Sequence, residues 1–290
     1  MNKNTIKLIA FTVVSLFVST ITFAQPKLFS KKHDLKDIGE KTLMIVTDNI
    51  SFLNMNIKES VEKLWDLSKV DFCNMREFEK IKSDTSYYFL IRLNGQFKKE
   101  EDPGIEFLSL LKGGPEALVG TGSMYDVLSL PLQPVDGSGD YIMPFTDTYI
   151  KIFKAHVKRV QENKIVANTM GMSFYGNRLS KIGKKIIFIN EEDMSEMVTA
   201  DYINASFKDN GKVVDEDTIE ESLEKARPGL LVSICIAPQE PKDNGSYCYK
   251  MLVGTDDGDL YYFRKQKINA KNPKGFLPED IKKISIPFIF

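Results

Sequence analysis

The stretches Thr42–Thr47 (TLMIVT) and Lys185–Ile189 (KIIFI) each open a segment in which the same order of elements is predicted. Both stretches are short and apolar, and both are followed by polar residues, Asp48-Asn49 in the first and Asn190-Glu191-Glu192 in the second, as strands of a buried sheet are. Each is followed by an amphipathic helix, a short strand, a second helix and a strongly apolar strand. The sequence therefore predicts a β-α-β-α-β unit that occurs twice along the chain.

The first unit is predicted from hydrophobic spacing and from one capping pattern. Ile57–Leu67 carries apolar residues at helical spacing, with acids and lysines between them. Asn74 is followed three residues later by Glu77, which is the spacing of a capping box. The remaining predicted elements are the strand Val70–Cys73, the helix Met75–Lys82 and the strand Tyr87–Leu93.

The second unit repeats this order of elements. Asp217 and Glu220 are placed to cap its second helix in the same way. Its predicted elements after the opening strand are the helix Thr199–Phe207, the strand Lys212–Val214, the helix Thr218–Ala226 and the strand Gly229–Ala237.

Two further strands follow each unit and are expected to form an antiparallel meander. In the second unit they are joined by Asp257-Gly258, a tight-hairpin signal. The fold class is thus α/β with mixed sheets, as a tandem duplication of a β-α-β-α-β-β-β unit. The strands concerned are Ile105–Leu111, Val127–Leu132, Ser246–Val253 and Leu260–Arg264, and an apolar final strand is predicted over Ile284–Phe290.

The amino-terminal segment has the layout of a cleaved secretory signal peptide. Lys3 and Lys7 precede an apolar run, and Thr22 and Ala24 supply small residues just before Gln25. The run is too short, and too often interrupted by Ser and Thr, for a retained membrane anchor. No cysteine lies near the predicted cleavage site, so a lipoprotein is not expected. The mature chain is predicted to lack a transmembrane segment and to reach the periplasm or the cell surface.

These features divide the chain into five predicted parts. They are a signal peptide (1–24), a polar lead-in (25–40), the first unit with a trailing amphipathic helix (41–165), a glycine-containing linker (166–183) and the second unit (184–290). The trailing helix is predicted over Thr148–Lys164.

Composition excludes several classes of function. The 290 residues carry 39 Lys and Arg against 40 Asp and Glu, so the positive excess of a nucleic-acid-binding protein is missing. The chain has only two histidines, His33 and His156. Most metal sites and most Ser-His or Cys-His catalysis need an imidazole beside a partner. We therefore predict no catalytic residue, no metal site and no cofactor.

Acids at strand ends are the remaining candidates for a ligand site. Asp48 follows the opening strand of the first unit, and Glu191 and Glu192 follow that of the second. Ligand sites in open α/β sheets gather at the carboxyl ends of strands. Acids at that place are also favourable at the start of the next helix and in solvent. Because no glycine-rich turn, histidine or lysine accompanies them, the sequence favours the structural interpretation.

The three cysteines leave two interpretations open. Cys235 and Cys248 fall on consecutive strands, so a cross-strand disulfide is conceivable if both side chains face the same side. Apolar strands also hide unpaired thiols well. We favour three unpaired buried cysteines, including Cys73, and keep Cys235 and Cys248 as the candidate disulfide.

The order of elements resembles an exported module, in particular the strand Lys212–Asp215, the helix Thr218–Ala226 and the hydrophobic strand after it. It is similar to the amino-terminal domain of the Tol system's propeller protein and to periplasmic domains of curli-type secretion channels. It also resembles secreted gram-negative envelope proteins with two such units. The resemblance covers most of residues 41–94 and 184–238 and carries no functional motif. It implies a non-catalytic envelope protein that acts through protein contacts.

The sequence therefore predicts an exported envelope protein with a binding or scaffolding role and an envelope protein as its partner. The alternative is a periplasmic hydrolase or small-ligand-binding protein that uses acids at strand ends, chiefly Asp48 and Glu191. That alternative requires Asp48, Glu191 and Glu192 to converge with other polar groups in one deep pocket.

Overall fold

The computed structural model describes residues 35–47, 51–95, 104–162, 173–176, 178–241 and 245–286. The predicted signal peptide, Asp48, much of the predicted linker and the last four residues lie outside these ranges. Within the ranges, no helix has the length and apolar character needed to cross a membrane.

The first unit is a five-stranded mixed sheet with helices on both faces. Its elements in chain order are β1 Thr42–Val46, α1 Phe52–Leu64, β2 Lys69–Cys73, α2 Met75–Ile81, β3 Tyr87–Gly95, β4 Ile105–Lys112, β5 Tyr125–Pro134 and α3 Thr146–Glu162. The strand order is β2-β1-β3-β4-β5. β1 pairs in parallel with β2 and β3, and the pairs β3–β4 and β4–β5 are antiparallel, as the predicted meander requires.

The second unit has the same topology. Its elements are β6 Ile186–Asn190, α4 Ala200–Phe207, β7 Gly211–Val214, α5 Glu216–Glu224, β8 Leu230–Ile236, β9 Tyr247–Gly254, β10 Leu260–Lys267 and α6 Pro278–Ser285. The strand order β7-β6-β8-β9-β10 matches the first sheet strand for strand. The predicted repeat of mixed α/β units is thus confirmed. Each repeat also includes one further helix, α3 in the first unit and α6 in the second, because α3 contacts α1 and α6 contacts α4.

One helix cap is confirmed and one is corrected. Asn74 and Glu77 form the predicted capping box at the start of α2. The prediction of Asp217 as the cap of α5 is wrong. Asp215 accepts the hydrogen bond from the backbone N–H of Thr218 at 2.9 Å, and the helix begins at Glu216. The chain therefore turns into the helix directly after β7, two residues earlier than the sequence pattern indicated.

The predicted final strand is wrong over its described residues. Ile281 and Ile284 belong to α6 and pack at helical spacing on the outer face of the second sheet. Pro278 at the first helical position and Asp280 in the first turn favour a helix start here. The predicted polar lead-in also differs, because Leu35 and Ile38 are buried against the first unit. The hydroxyl of Tyr88 also donates to Asp37 at 2.7 Å, so apolar and polar contacts together hold this segment on the core.

The helices divide the apolar side chains into three clusters. α2 covers the outer face of the first sheet, whereas α4 and α6 cover the outer face of the second. The largest group, here called the middle cluster, lies between the two sheets and includes Ile57 of α1, Val157 of α3 and Ile219 of α5. The first unit therefore presents the face that carries α1 and α3, and the second unit presents its opposite face. The units stack head to tail.

Polar and aromatic contacts reinforce this stacking. The rings of Phe107 and Tyr249 meet edge to face, with centroids 5.5 Å apart. Arg159 of α3 and Arg178 both contact the carboxylate of Asp259 in the β9–β10 hairpin, at 3.0 Å and 2.6 Å. The predicted linker also contributes, because Tyr175 is buried in the middle cluster.

A fully buried ion pair joins Lys250 of β9 to Asp280 of α6. Asp280 also accepts hydrogen bonds from the Tyr262 hydroxyl and from Arg264, each at 2.6 Å. Burial alone would raise the pKa of Asp280, but the charge and hydrogen bond of Lys250 hold that pKa below its ordinary value. This network fixes α6 on the second sheet.

We expect Asp280→Asn to lower the free energy of unfolding by about 3–5 kcal/mol, because Lys250 would keep a buried charge without a counter-ion. Urea unfolding at neutral pH measures the change. The matched control is Glu221→Gln, which removes the exposed partner of Lys225 on α5 and should leave the midpoint unchanged. Equal midpoints for Asp280→Asn and the wild type would contradict this role of the pair.

Candidate functional site

A cleft of about 220 Å³ opens where the first unit meets the carboxyl ends of β6 and β8. The first unit supplies the end of β5 and the loop after it, and the second unit supplies the turn after β6 and the end of β8. Open α/β sheets bind ligands at this edge. The lining side chains and backbone that matter for its chemistry are Gln133, Gly139, Tyr141, Glu192, Asp193 and Cys235.

Asp193 is a buried carboxyl group in the wall of this cleft, with 2% of its surface exposed. The hydroxyl of Tyr141 donates to its Oδ1 at 2.9 Å, and the hydroxyl of Ser233 donates to its Oδ2. Burial raises the pKa of Asp193 to about 6 despite these two donors. Burial and the neighbouring charge of Asp193 also raise the pKa of Tyr141. Tyr141 therefore stays protonated, and its hydroxyl joins the two units by donating a hydrogen bond to Asp193.

A short turn explains why Asp193 is buried while the acids before it are not. The side chain of Asn190 accepts the backbone N–H of Glu192 at 3.1 Å and starts a 3-10 turn over Glu191–Asp193. The backbone N–H of Phe276 then donates to the carbonyl of Asp193 at 2.7 Å. Gly275 permits this approach, since a Cβ there would lie 2.5 Å from the backbone nitrogen of Ser195.

Gln133 brings an oriented acceptor to the same cleft. Its Nε2 donates to Glu106 at 2.7 Å, and Arg92 contacts the same carboxylate oxygen at 2.7 Å. Only the amide NH₂ can donate to a carboxylate, so Oε1 must point the other way, beneath the Gly137–Gly139 loop. Gln133 is 7% exposed, and no donor from the described residues reaches its Oε1.

Negative charge concentrates around the cleft. Both charged side chains among its described lining residues, Glu192 and Asp193, are acidic. Burial and the charge of nearby carboxylates raise the pKa of Glu216, at the start of α5. Those carboxylates come from three separate elements and are Glu192, Glu220, Asp217 and Asp140. The cleft can therefore accept hydrogen bonds and offset a positive charge.

The structure separates the acids that the sequence singled out. Glu192 lines the cleft, Glu191 is exposed to solvent outside it, and Asp48 lies beyond the described residues. The neighbouring residue Asp193 was missed, although it directly follows the predicted pair. Sequence does not show which acid of the turn faces inward. Tyr141 and Gln133 were missed because both lie between the predicted strand Val127–Leu132 and the predicted helix Thr148–Lys164, where no element was predicted.

Cys235 and Cys248 face the same side of the second sheet. Cys235 pairs with Lys250, and Cys248 lies two residues before Lys250 on β9. The Sγ atoms are 3.3 Å apart, and all three cysteines are thiols. Cys73 and Cys248 are buried, as expected, whereas Cys235 is partly exposed at the cleft.

A second cleft, of about 310 Å³, occupies the matching place in the first unit, at the carboxyl ends of β1 and β3. Its charged side chains, Arg92 and Glu106, neutralise each other at 2.7 Å. Arg92 also donates to Asn54 at 2.9 Å. Among the described residues that line it, this cleft therefore has no uncompensated negative charge, unlike the cleft between the units.

No group of three or more His, Cys, Asp or Glu side chains is arranged to hold a metal ion in the part of the chain that the structure describes. No family model matches this chain, and neither does any curated protein or solved structure. The resemblance to Tol-system and curli-type domains stays a prediction. We therefore infer the function from the geometry of the cleft between the units.

The pKa of Asp193 predicts a pH-dependent loss of stability. Between pH 4 and pH 6 the unfolded chain releases the Asp193 proton while the folded chain keeps it. The free energy of unfolding should therefore fall as pH rises, by about 2–3 kcal/mol relative to Asp193→Asn. Urea unfolding of both proteins at several pH values measures this difference. A difference that stays constant from pH 4 to pH 7 would show that Asp193 titrates normally.

Proposed function

We propose that the protein is a binding protein that holds a basic side chain of a partner protein in the acidic cleft between its two units. The observation that carries the proposal is a cleft whose described charged lining residues are both acidic, Glu192 and Asp193, with Glu192 also close enough to Glu216 to add to the effect of burial in raising its pKa. Like charges raise the free energy of one another's ionised forms, and a bound cation relieves this repulsion.

Gln133 supports the same occupant. A buried acceptor without a donor costs about 1–3 kcal/mol, and a ligand N–H group would recover that energy. Oε1 lies under the Gly137–Gly139 loop, so the donor must displace this loop slightly to reach it. Gly139 has a φ of +90° and carries no side chain that would block the oxygen. Arginine offers five N–H donors and a permanent positive charge, and it fits these acceptors well.

The dimensions of the cleft favour one side chain over a larger ligand. Pockets for drug-sized molecules have volumes of about 300–1,000 Å³, whereas this cleft has about 220 Å³. Exposed apolar side chains lie nearby, which is typical of surfaces that bind proteins. Phe52 and Met55 are in the first turn of α1, whose Leu53 lies beside Gly139, and Val135 follows the lining residue Pro134.

Hydrolysis is the competing proposal, because a carboxyl group with a pKa of about 6 can act as a general acid or base. Both oxygens of Asp193 already accept hydrogen bonds from Tyr141 and Ser233, however. A catalytic role would require one of these bonds to break. We therefore propose that Asp193 has a structural role, in which it holds the hydroxyl of Tyr141 where the two units meet.

The predicted signal peptide places this binding role outside the cytoplasm. An exported chain would meet its partner in the periplasm or at the cell surface, and we propose an envelope protein with an exposed arginine or lysine. The repeated unit would serve as a rigid support for the cleft.

The proposal predicts selective binding of acetyl-arginine amide over its neutral isostere, acetyl-citrulline amide. Calorimetry or NMR titration of the full chain should give a dissociation constant of about 1 mM for the arginine probe. Gln133→Leu should weaken this binding about tenfold, because it removes a hydrogen bond to a charged group. Glu192→Gln should also weaken it.

The matched control is Glu191→Gln, which removes an exposed acid next to the cleft and should leave the affinity unchanged. Equal binding of the arginine and citrulline probes would refute the charge argument. Unaltered binding by a folded Gln133→Leu variant would refute the assignment of the acceptor. If only the free probe binds and no arginine-containing peptide does, the occupant is a small cation rather than a protein side chain.

A further inference from the structure

Cys235 and Cys248 form a close pair of thiols at the end of the β8–β9 ladder. The last paired residues of these strands are Ile236 and Tyr249, so Cys248 lies just beyond the paired region. The Sγ–Sγ distance of 3.3 Å leaves no room for another atom between the two sulfurs. The described residues of the connection, 237–241 and 245–246, form no ladder, so no β8–β9 pairing there opposes a closer approach of the strand ends.

The two thiols differ in accessibility. Cys235 is partly exposed and lines the cleft between the units, whereas the side chain of Cys248 is fully buried. A reagent that enters the cleft therefore meets Cys235 first. Because Cys248 is buried, it can react only with the sulfur of Cys235 itself, after a reagent has modified Cys235.

The surroundings of Cys248 favour its thiolate. The hydrogen bond from the Cys235 thiol lowers the pKa of Cys248 despite burial, and the Gly275 backbone N–H and the Lys250 charge act in the same direction. The same hydrogen bond, together with burial, raises the pKa of Cys235. Cys235 therefore becomes the nucleophile when its proton passes along the hydrogen bond to Cys248.

We propose that Cys235 and Cys248 are a thiol–disulfide exchange site for a small uncharged disulfide of the 2-hydroxyethyl disulfide class, which the narrow acidic cleft admits without charge repulsion. The Cys235 thiolate attacks one sulfur of the small disulfide, which forms a mixed disulfide and releases the first thiolate. Cys248 then loses its proton and attacks Cys235 Sγ, which forms the internal disulfide and releases the second thiolate. In sum, the protein dithiol is oxidised and one small disulfide is reduced to two thiols.

The register makes the internal disulfide reversible. Cys235 and Cys248 are diagonal neighbours rather than directly opposite each other, and diagonal side chains start further apart than a disulfide allows. Closure must draw the strand ends together, and strained disulfides are reduced more easily than relaxed ones. The backbone N–H of Cys235 donates to Tyr141 at 3.3 Å, so closure also moves one wall of the cleft.

The test treats the reduced full-length chain with 2-hydroxyethyl disulfide under native conditions and follows each cysteine by peptide mass spectrometry. The wild type should form the Cys235–Cys248 disulfide, and Cys235 should react ~10-fold faster than Cys73, which needs local opening to react. Cys248→Ser should stop at the mixed disulfide and carry one hydroxyethylthio group on Cys235. Cys235→Ser should leave Cys248 unmodified, and Cys73→Ser should behave as the wild type.

Two results would overturn this assignment. One is a wild-type chain in which Cys235 and Cys73 react at the same rate, since this would indicate general unfolding. The other is a folded Cys248→Ser variant that gains no hydroxyethylthio group. The wild-type comparison needs no substitution, so it holds even if a variant fails to fold. Neither measurement requires a bound cation, and the arginine-binding proposal can fail independently.

Discussion

The middle cluster is the constraint on which the rest of this structure depends. Two units with the same topology must bury opposite faces against each other, α1 and α3 from the first and α5 from the second. A head-to-tail stack brings the end of β5 beside the carboxyl ends of β6 and β8, and the cleft lies at that junction. A symmetric, face-to-face pairing of equivalent surfaces would bring two matching strand edges together instead. The cleft is thus a consequence of how the repeat packs.

Burial of acids in the cleft raises the free energy of the folded state, and contacts in the surrounding structure offset this increase. The buried Lys250–Asp280 pair holds α6 on the second sheet, and the segment just before α6 supports the site in two ways. Phe276 donates its backbone N–H to the carbonyl of Asp193, and the backbone N–H of Gly275 donates to Cys248. A stable interaction on the outer face of the sheet therefore positions both the acidic wall and the thiol pair.

The sequence allowed the repeat to be predicted because strands such as TLMIVT and the Asn74–Glu77 capping box are local patterns. The sequence did not allow a correct prediction where contacts between residues distant in the chain determine the structure. Ile284 suits a strand or a helix equally well, and packing on α4 favours the helix. The burial of Asp193 follows from one 3-10 turn, and the orientation of Gln133 follows from Glu106 on another strand. Neither can be derived from residue spacing, so the candidate site was largely missed while the fold was found.

The claim that the two units share one core can be tested directly by urea unfolding with one probe in each unit. Trp65, the only tryptophan, reports on the first unit from within the middle cluster. Pulsed alkylation of Cys248, whose side chain is fully buried, reports on the second unit. A shared core predicts that fluorescence and alkylation follow one superimposable transition. Two transitions with separate midpoints would show that the units fold independently, and they would contradict a cleft held rigidly between them.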